Sequence, residues 1–316
     1  MLASRACWSC GWENDGFTCT SALQPSRPHE PFLPPLQRRG KRARSRVEQR
    51  LQAAQWGSSM KAAGKWLFLV LLALSLGKSA GQLQSSIIGG KKAPPHSRPY
   101  MVSIQSKGTL ACGGALVHKQ WVLTAAHCNN LKLKGPIEVV VGLPQQPWKN
   151  TGVQKFTIKK SVQHPSYNPE TFANDIMLLK LAKKVRLNKE ARLIPLAKKQ
   201  PAPGTLCSVA GWGITAEKGK LSHVLRELNI KVMDSRMCNN SRFWHGEITQ
   251  AMMCMEGVEK GSAPCKGDSG GPVVCGKKAE VAGVISFTGK SCLDVFKPPV
   301  ATAVSSYVKW IRKTLR

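Results

Sequence analysis

The chain has 316 residues, of which 42% are hydrophobic; it can bury a core of one to about three domains, which excludes wholesale disorder. No apolar run reaches the roughly 18 residues that a membrane-spanning helix needs. The 47 basic and 17 acidic residues leave a formal charge of +30, which excludes an ordinary neutral cytosolic enzyme and implies polyanionic company: nucleic acid, acidic membrane or sulfated polysaccharide.

Residues 1–59 do not read as a domain. Pro25, Pro28, Pro31, Pro34 and Pro35 crowd one stretch, and Arg38, Arg39, Lys41, Arg42, Arg44 and Arg46 follow. No hydrophobic period of 2 or 3.6 is sustained. Cys7, Cys10 and Cys19 lack a nearby histidine and make a poor zinc site. The segment is expected to be disordered, or an upstream extension that does not belong to the working protein. Residues 60–81 read as a secretory signal peptide starting at Met60. Lys61 and Lys65 precede the apolar run 66–76, and Gly77, Ser79, Ala80 and Gly81 supply small residues for cleavage. Residues 82–86 are then a short propeptide of five residues; a cut after Gln84 leaves two.

Residues 87–316 carry 35 basic and 13 acidic residues, so a surplus of 22 belongs to this part. Short apolar runs alternate with turn residues. Segments 100–105, 137–143, 155–162, 176–181, 206–212, 228–232 and 281–287 are predicted strands. Leu228, Ile230 and Val232 alternate strictly with Asn229 and Lys231. One helix is predicted at the end. Tyr307, Trp310, Ile311 and Leu315 share a face, with Ser305 or Ser306 as the cap. The fold class is all-β with a C-terminal helix, and the length suits two small packed barrels.

Four motifs carry chemistry. Gly267-Asp268-Ser269-Gly270-Gly271-Pro272 can hold a serine on a tight turn with amides converging beside it. Leu123-Thr124-Ala125-Ala126-His127-Cys128 places an imidazole beside a cysteine that a disulfide can pin. Asn174-Asp175-Ile176-Met177 opens an apolar strand with a carboxylate, which burial makes costly unless it is paired. Ile87-Ile88-Gly89-Gly90 is either a flexible strand start or a new amino terminus.

In the order His127, Asp175, Ser269, these motifs resemble the chymotrypsin-like serine proteases. Within that family the segments around Pro95-His96-Ser97-Arg98-Pro99-Tyr100, Met237-Cys238-Asn239-Asn240 and Phe296-Lys297-Pro298-Pro299-Val300 are similar to the granzymes. The resemblance covers 87–316. It implies two six-stranded antiparallel barrels and an acyl-enzyme mechanism. Ser269 would be the nucleophile, His127 the proton carrier, and Asp175 the group that holds the imidazole. The amides of Gly267 and Ser269 would form the oxyanion hole. Asp268 would pair with the ammonium of Ile87 after a propeptide is removed, so the protein would be made as a zymogen. Ser86 precedes the junction, which suits a dipeptidyl peptidase rather than a trypsin-like activator.

The resemblance also places a substrate pocket at Ala263, Ser286, Phe287, Thr288 and Pro299, with Lys266 at its rim. Alanine at position 263 offers no charge to a basic side chain, and Pro299 should narrow the pocket. Cleavage is expected after Met or Leu. It pairs Cys112 with Cys128, Cys207 with Cys275, Cys238 with Cys254, and Cys265 with Cys292. The sequon at Asn239 suits a glycan on a secreted protein. Implied partners are protein substrates, sulfated proteoglycan in cytotoxic granules, the dipeptidyl peptidase and serpin inhibitors. Neither nucleic acid, a metal nor an organic cofactor is expected, and the protein is expected to be a monomer. A catalytically silent cationic heparin-binding or antimicrobial protein on the same scaffold is the alternative.

Overall fold

The structure, a computed structural model, describes residues 10–13, 16–19, 87–129, 135–143 and 152–316. The proline-rich and basic stretches, the signal segment and the propeptide lie outside the described residues. Within the upstream segment, which the sequence reads as having no regular element, strands β1 (Cys10–Glu13) and β2 (Gly16–Cys19) form an antiparallel hairpin. The compact unit from Gly81 to Arg316 holds the rest.

Its first barrel closes in the order β4 (Met101–Ser106), β5 (Thr109–His118), β6 (Trp121–Thr124), β9 (Met177–Leu181), β8 (Gln154–Gln163) and β7 (Ile137–Val141), with β7 returning to β4. Val102, Leu116, Val122, Val139 and Leu178 fill it and are fully withdrawn from water. The second barrel runs β10 (Leu206–Gly211), β13 (Pro272–Cys275), β14 (Glu280–Phe287), β15 (Val300–Ala303), β12 (Met252–Gly257) and β11 (Arg226–Val232), and closes through β10–β11. A two-residue strand, β3 (Lys91–Lys92), adds to the edge of β11. Its core includes Val209, Ile230, Met253, Met255, Val273 and Ile285. The alternation read in β11 holds: Leu228, Ile230 and Val232 are buried while Asn229 and Lys231 are exposed.

Each predicted strand matches a strand of a barrel, displaced by at most two residues at its ends. Five longer strands were not predicted, for identifiable reasons. Strand β5 has Gly113 and Gly114 in its middle, which sequence patterns treat as a break. There the missing side chain is a packing requirement, because a Cβ on Gly113 would lie 3.1 Å from Gly271 Cα. Strand β13 opens on Pro272, a position where no ladder amide is needed. Strand β12 is rich in methionine, which carries no strong strand preference. Strands β6 and β15 have only four residues each.

The terminal helix, α2 (Val308–Leu315), follows one 3-10 turn, Val304–Tyr307. Ser305 and Ser306 fall inside that turn, and neither side chain caps the helix, so the serine cap is corrected. Ile311 and Tyr307 dock the helix instead, at 0% and 4% exposure. A one-turn helix, α1 (Ser235–Cys238), is capped by the Asp234 carboxylate, which accepts from the amides of Arg236 and Met237. Four disulfides close as the resemblance implies: Cys112–Cys128, Cys207–Cys275, Cys238–Cys254 and Cys265–Cys292. No helix among the described residues is long and apolar enough to cross a membrane.

The close approach at Gly113 predicts a stability cost. Gly113→Ala should lower the free energy of unfolding by about 1–3 kcal/mol, the usual cost of overpacking, when measured by urea denaturation. Wild-type stability would show that the backbones can part freely there.

Candidate active site

The histidine motif forms a short 3-10 turn, Ala126–Asn129, at the end of β6. The Cys112–Cys128 disulfide ties this turn to the neighbouring strand β5. Asp175 precedes β9 and is fully buried. Its carboxylate is held from both barrels. Oδ1 accepts from the His127 amide at 2.9 Å, and Oδ2 meets His127 Nδ1 at 2.7 Å. From the second barrel the Ser286 hydroxyl donates to Oδ2, and Thr302 Oγ1 donates to the Asp175 carbonyl at 2.9 Å. This answers the cost of burying a carboxylate, since each oxygen is solvated by fixed donors. It also orients the imidazole, leaving Nε2 on the far side of the ring. The Tyr167 hydroxyl is pushed up to about 12, by burial first and then by the Asp175 charge.

Ser269 sits on the turn before β13, and the first barrel positions it. The Gly113 amide donates to the Ser269 carbonyl at 2.8 Å. Gly270 has φ +79°, and any side chain there would collide with Thr124 Oγ1 and the Gly113 carbonyl. The turn is thereby pressed against the ends of β5 and β6, next to the histidine. The Cys128 sulfur lies 3.8 Å from His127 Nε2 and 4.0 Å from the Ser269 carbonyl oxygen. Among the described residues, Ser269 Oγ and His127 Nε2 make no hydrogen bond; such bonds commonly tighten only with substrate present. Around the serine, Asp268, Gly270 and Gly271 commit their amides to internal acceptors, at 2.9, 2.7 and 3.0 Å. The amides of Gly267 and Ser269 have no internal acceptor among the described residues. Two free donors, with one residue between them on a tight turn, can receive an anionic oxygen.

Asp268 faces the other way and is 1% exposed. Oδ1 accepts from the Gly213 amide at 2.8 Å and Oδ2 from the Cys265 amide at 3.0 Å. It makes no ion pair among the described residues, and burial pushes its carboxyl up to about 7. Ile87 is fully buried in the core of the second barrel. Ile88 pairs with Ala263, whose amide donates to the Ile88 carbonyl at 2.9 Å.

The residues expected to form the substrate pocket are spread over several environments. Phe287 and Thr288 line a cleft of about 850 Å³ together with Phe172, Trp244, Lys290 and Lys297. Ala263, Ser286, Pro299 and Lys266 are not in that lining. Ala263 and Pro299 are buried, Ser286 turns its hydroxyl to Asp175, and Lys266 is exposed. The cleft has an aromatic wall. Phe172 lies 5.7 Å from His127 and 5.4 Å from Phe287, and Trp244 lies 5.1 Å from Phe287. The sequence reading missed Phe172 and Trp244 as lining residues, and Ser286 and Thr302 as holders of Asp175. Phe172 had no signal at all, because it sits on an irregular turn at φ +54°.

Two further groups bear on binding. Cys112, His127 and Cys128 bring sulfur and nitrogen atoms within 4.8 Å of one another. Both sulfurs are joined in a disulfide, so neither offers the thiolate that a metal would need. The Asn239 carboxamide is half-buried and bonded both ways to Ile248, each at 3.0 Å.

The Trypsin family model matches residues 87–311. Granzyme M of Rattus norvegicus is 49% identical over 256 residues, covering 78% of this chain and 96% of that protein. Granzyme M of Homo sapiens is 51% identical over 250 residues, covering 78% and 95%. Among solved structures, mouse neuropsin, a serine protease expressed in the limbic system of the brain, superposes with a TM-score of 0.66. It is 34% identical, covering 72% of this chain and 99% of that one. The barrels, the carboxylate-held histidine and the serine turn thus coincide with the reach of the family match, and the chain belongs to the trypsin family of serine proteases.

Proposed function

We propose that the protein is a granzyme-like serine endopeptidase acting through Ser269, His127 and Asp175. The observation that carries this reading is the double hold of Asp175 on His127, through the ring at 2.7 Å and the main chain at 2.9 Å. His127 Nε2 takes the proton of Ser269 Oγ as that oxygen attacks the peptide carbonyl. The tetrahedral intermediate places its anionic oxygen against the amides of Gly267 and Ser269. As it collapses, the C–N bond breaks and the imidazolium gives the proton to the leaving amine. Water, deprotonated by the same imidazole, then cleaves the acyl-enzyme and restores Ser269. Asp175 holds the ring in place and stabilises the imidazolium that forms twice per cycle.

The substrate side chain before the cut is Met or Leu in this reading. Ala263 is uncharged and Pro299 is buried, so a cation placed beside them would be unpaired. Secretion, storage in cytotoxic granules and binding to sulfated proteoglycan fit the granzyme likeness and the basic surplus of residues 87–316. Activation proceeds by release of Ile87, whose ammonium supplies the cation that Asp268 lacks. A dipeptidyl peptidase suits the Ser86 junction, and serpins are the expected inhibitors.

Three outcomes test this. Protein beginning at Ile87 should hydrolyse peptides after Met or Leu and not after Arg, Asp or Phe, and Ser269→Ala should abolish turnover. Best cleavage after Arg, Asp or Phe would refute the pocket, and no cleavage at all would favour the silent cationic alternative. Ser286→Ala removes one charge-assisted hydrogen bond from Asp175 and should lower kcat about tenfold or more; an unchanged kcat would show that the hydroxyl does not support His127. The third outcome concerns pH. An unfolded aspartate titrates near about 3.9, well below the folded Asp268 at about 7. Between those values the folded uncleaved chain holds a proton that the unfolded chain has lost. Its stability contribution is therefore full below about pH 4 and is lost as pH rises through about 7, on the order of 4 kcal/mol in total. Denaturant melts across that window should show the loss in the uncleaved chain and not in protein beginning at Ile87. Equal pH profiles would contradict pairing of Ile87 with Asp268.

A further inference from the structure

Arg226 is an expense that the catalytic machinery does not explain. It lies on β11 at 8% exposure, and burial lowers its pKa from the ordinary arginine value. It makes no ion pair among the described residues. The next residue, Glu227, is already shared between Arg98 at 3.1 Å and Lys91 at 3.8 Å. The Arg226 Nε is buried with no acceptor. An uncompensated buried cation is costly, and replacing such a group by an apolar one is often neutral or stabilising. Stability alone is therefore a poor reason for its presence.

Among the described residues, its side chain makes one hydrogen bond, and that bond is informative. Arg226 Nη1 donates to the Gly90 carbonyl at 3.1 Å. Gly90 ends the turn that starts at Ile87, because the Gly90 amide donates to the Ile87 carbonyl at 2.6 Å. The turn is gripped from two sides. Ile88 is bridged to Ala263 on one side. On the other, Arg226 pairs with Lys92, Glu227 with Lys91, and the Ala93 amide donates to the Leu225 carbonyl at 3.0 Å. Among the described residues, Arg226 is the one side chain that hydrogen-bonds the turn itself.

We propose that Arg226 is a positioning residue, a latch on the Gly90 carbonyl that keeps the Ile87–Gly90 turn seated. It thereby sets the fraction of mature molecules whose Ile87 amine reaches Asp268. This rests on the activation reading above and deepens it. A main-chain carbonyl needs a donor at that point, and the guanidinium reaches it from the neighbouring strand without adding a carboxylate that would compete for the new ammonium. Since a site populated to a fraction f binds with an apparent constant raised by 1/f, loss of the latch should appear in KM. Saturating substrate would draw molecules back to the seated state and preserve kcat.

The test uses protein beginning at Ile87, as wild type, Arg226→Met and Arg226→Lys. Cyanate reacts with a free α-amine, and mass spectrometry of the amino-terminal peptide follows its rate at Ile87. The latch predicts carbamylation about tenfold faster in Arg226→Met, with KM about tenfold higher and kcat within about twofold. Its melting temperature should be unchanged or higher. Arg226→Lys retains a donor and should fall about midway on a logarithmic scale; it carries the comparison if the methionine variant does not fold. Wild-type carbamylation and KM in both variants would overturn the latch. So would a lower melting temperature with KM unchanged, which would mark Arg226 as packing only. Wild-type enzyme that keeps full activity after complete carbamylation of Ile87 would instead overturn the activation reading, and that result is distinguishable because it needs no Arg226 variant.

Discussion

A carboxylate taken out of water must be solvated by the protein, and this molecule accepts that constraint twice. Asp175 is fully buried and answers it with the His127 amide, the His127 ring and the Ser286 hydroxyl. Asp268 answers it with only two backbone amides, and burial pushes its carboxyl up to about 7. The difference between the two sites sets their roles in the proposed mechanism. The satisfied carboxylate fixes a geometry, while the poorly satisfied one waits for a charge. A cation delivered to Asp268 favours the ionised form that burial disfavours, so pairing and loss of the proton are coupled there.

The proposed catalytic arrangement is distributed so that neither barrel can form it alone. His127 and Asp175 come from the first barrel, but the hydroxyls that fix Asp175 come from the second. Ser269 belongs to the second barrel, but its turn is located by the Gly113 amide and by contact with Thr124. The glycines here act by absence: they let two backbones meet at distances that a side chain would crowd. The cleft beside the histidine follows from the same meeting, with Phe172 facing Phe287 at 5.4 Å.

Much of this was legible in the sequence, and the reasons for the rest are physical. Strands with apolar alternation, such as β11, declared themselves because one face is wet and the other dry. Strand β5 did not, because its glycines serve packing against Gly271 rather than local preference. The terminal helix was found from its apolar face, yet its start was misassigned: tertiary docking of Tyr307 and Ile311 outweighs a serine cap. The serine, histidine and aspartate motifs stood out as residue types, but the serine and threonine that hold Asp175 lie 111 and 127 residues from it. The disulfide partners came from family likeness, since eight cysteines alone allow 105 pairings. Arg226 was invisible, because nothing local distinguishes a buried latch from a surface arginine.

The most direct measurement is the proton balance of activation. Cutting the Ser86–Ile87 bond near pH 6 creates one carboxylate and one ammonium and by itself releases no net proton. If Asp268 passes from a buried carboxyl titrating at about 7 to a carboxylate paired with Ile87, about 0.9 proton should be released per molecule cut. The same cut in Asp268→Asn should release none. A wild-type value of zero, or equal release from both proteins, would contradict the claim that the Ile87 amine and the buried Asp268 form the switch.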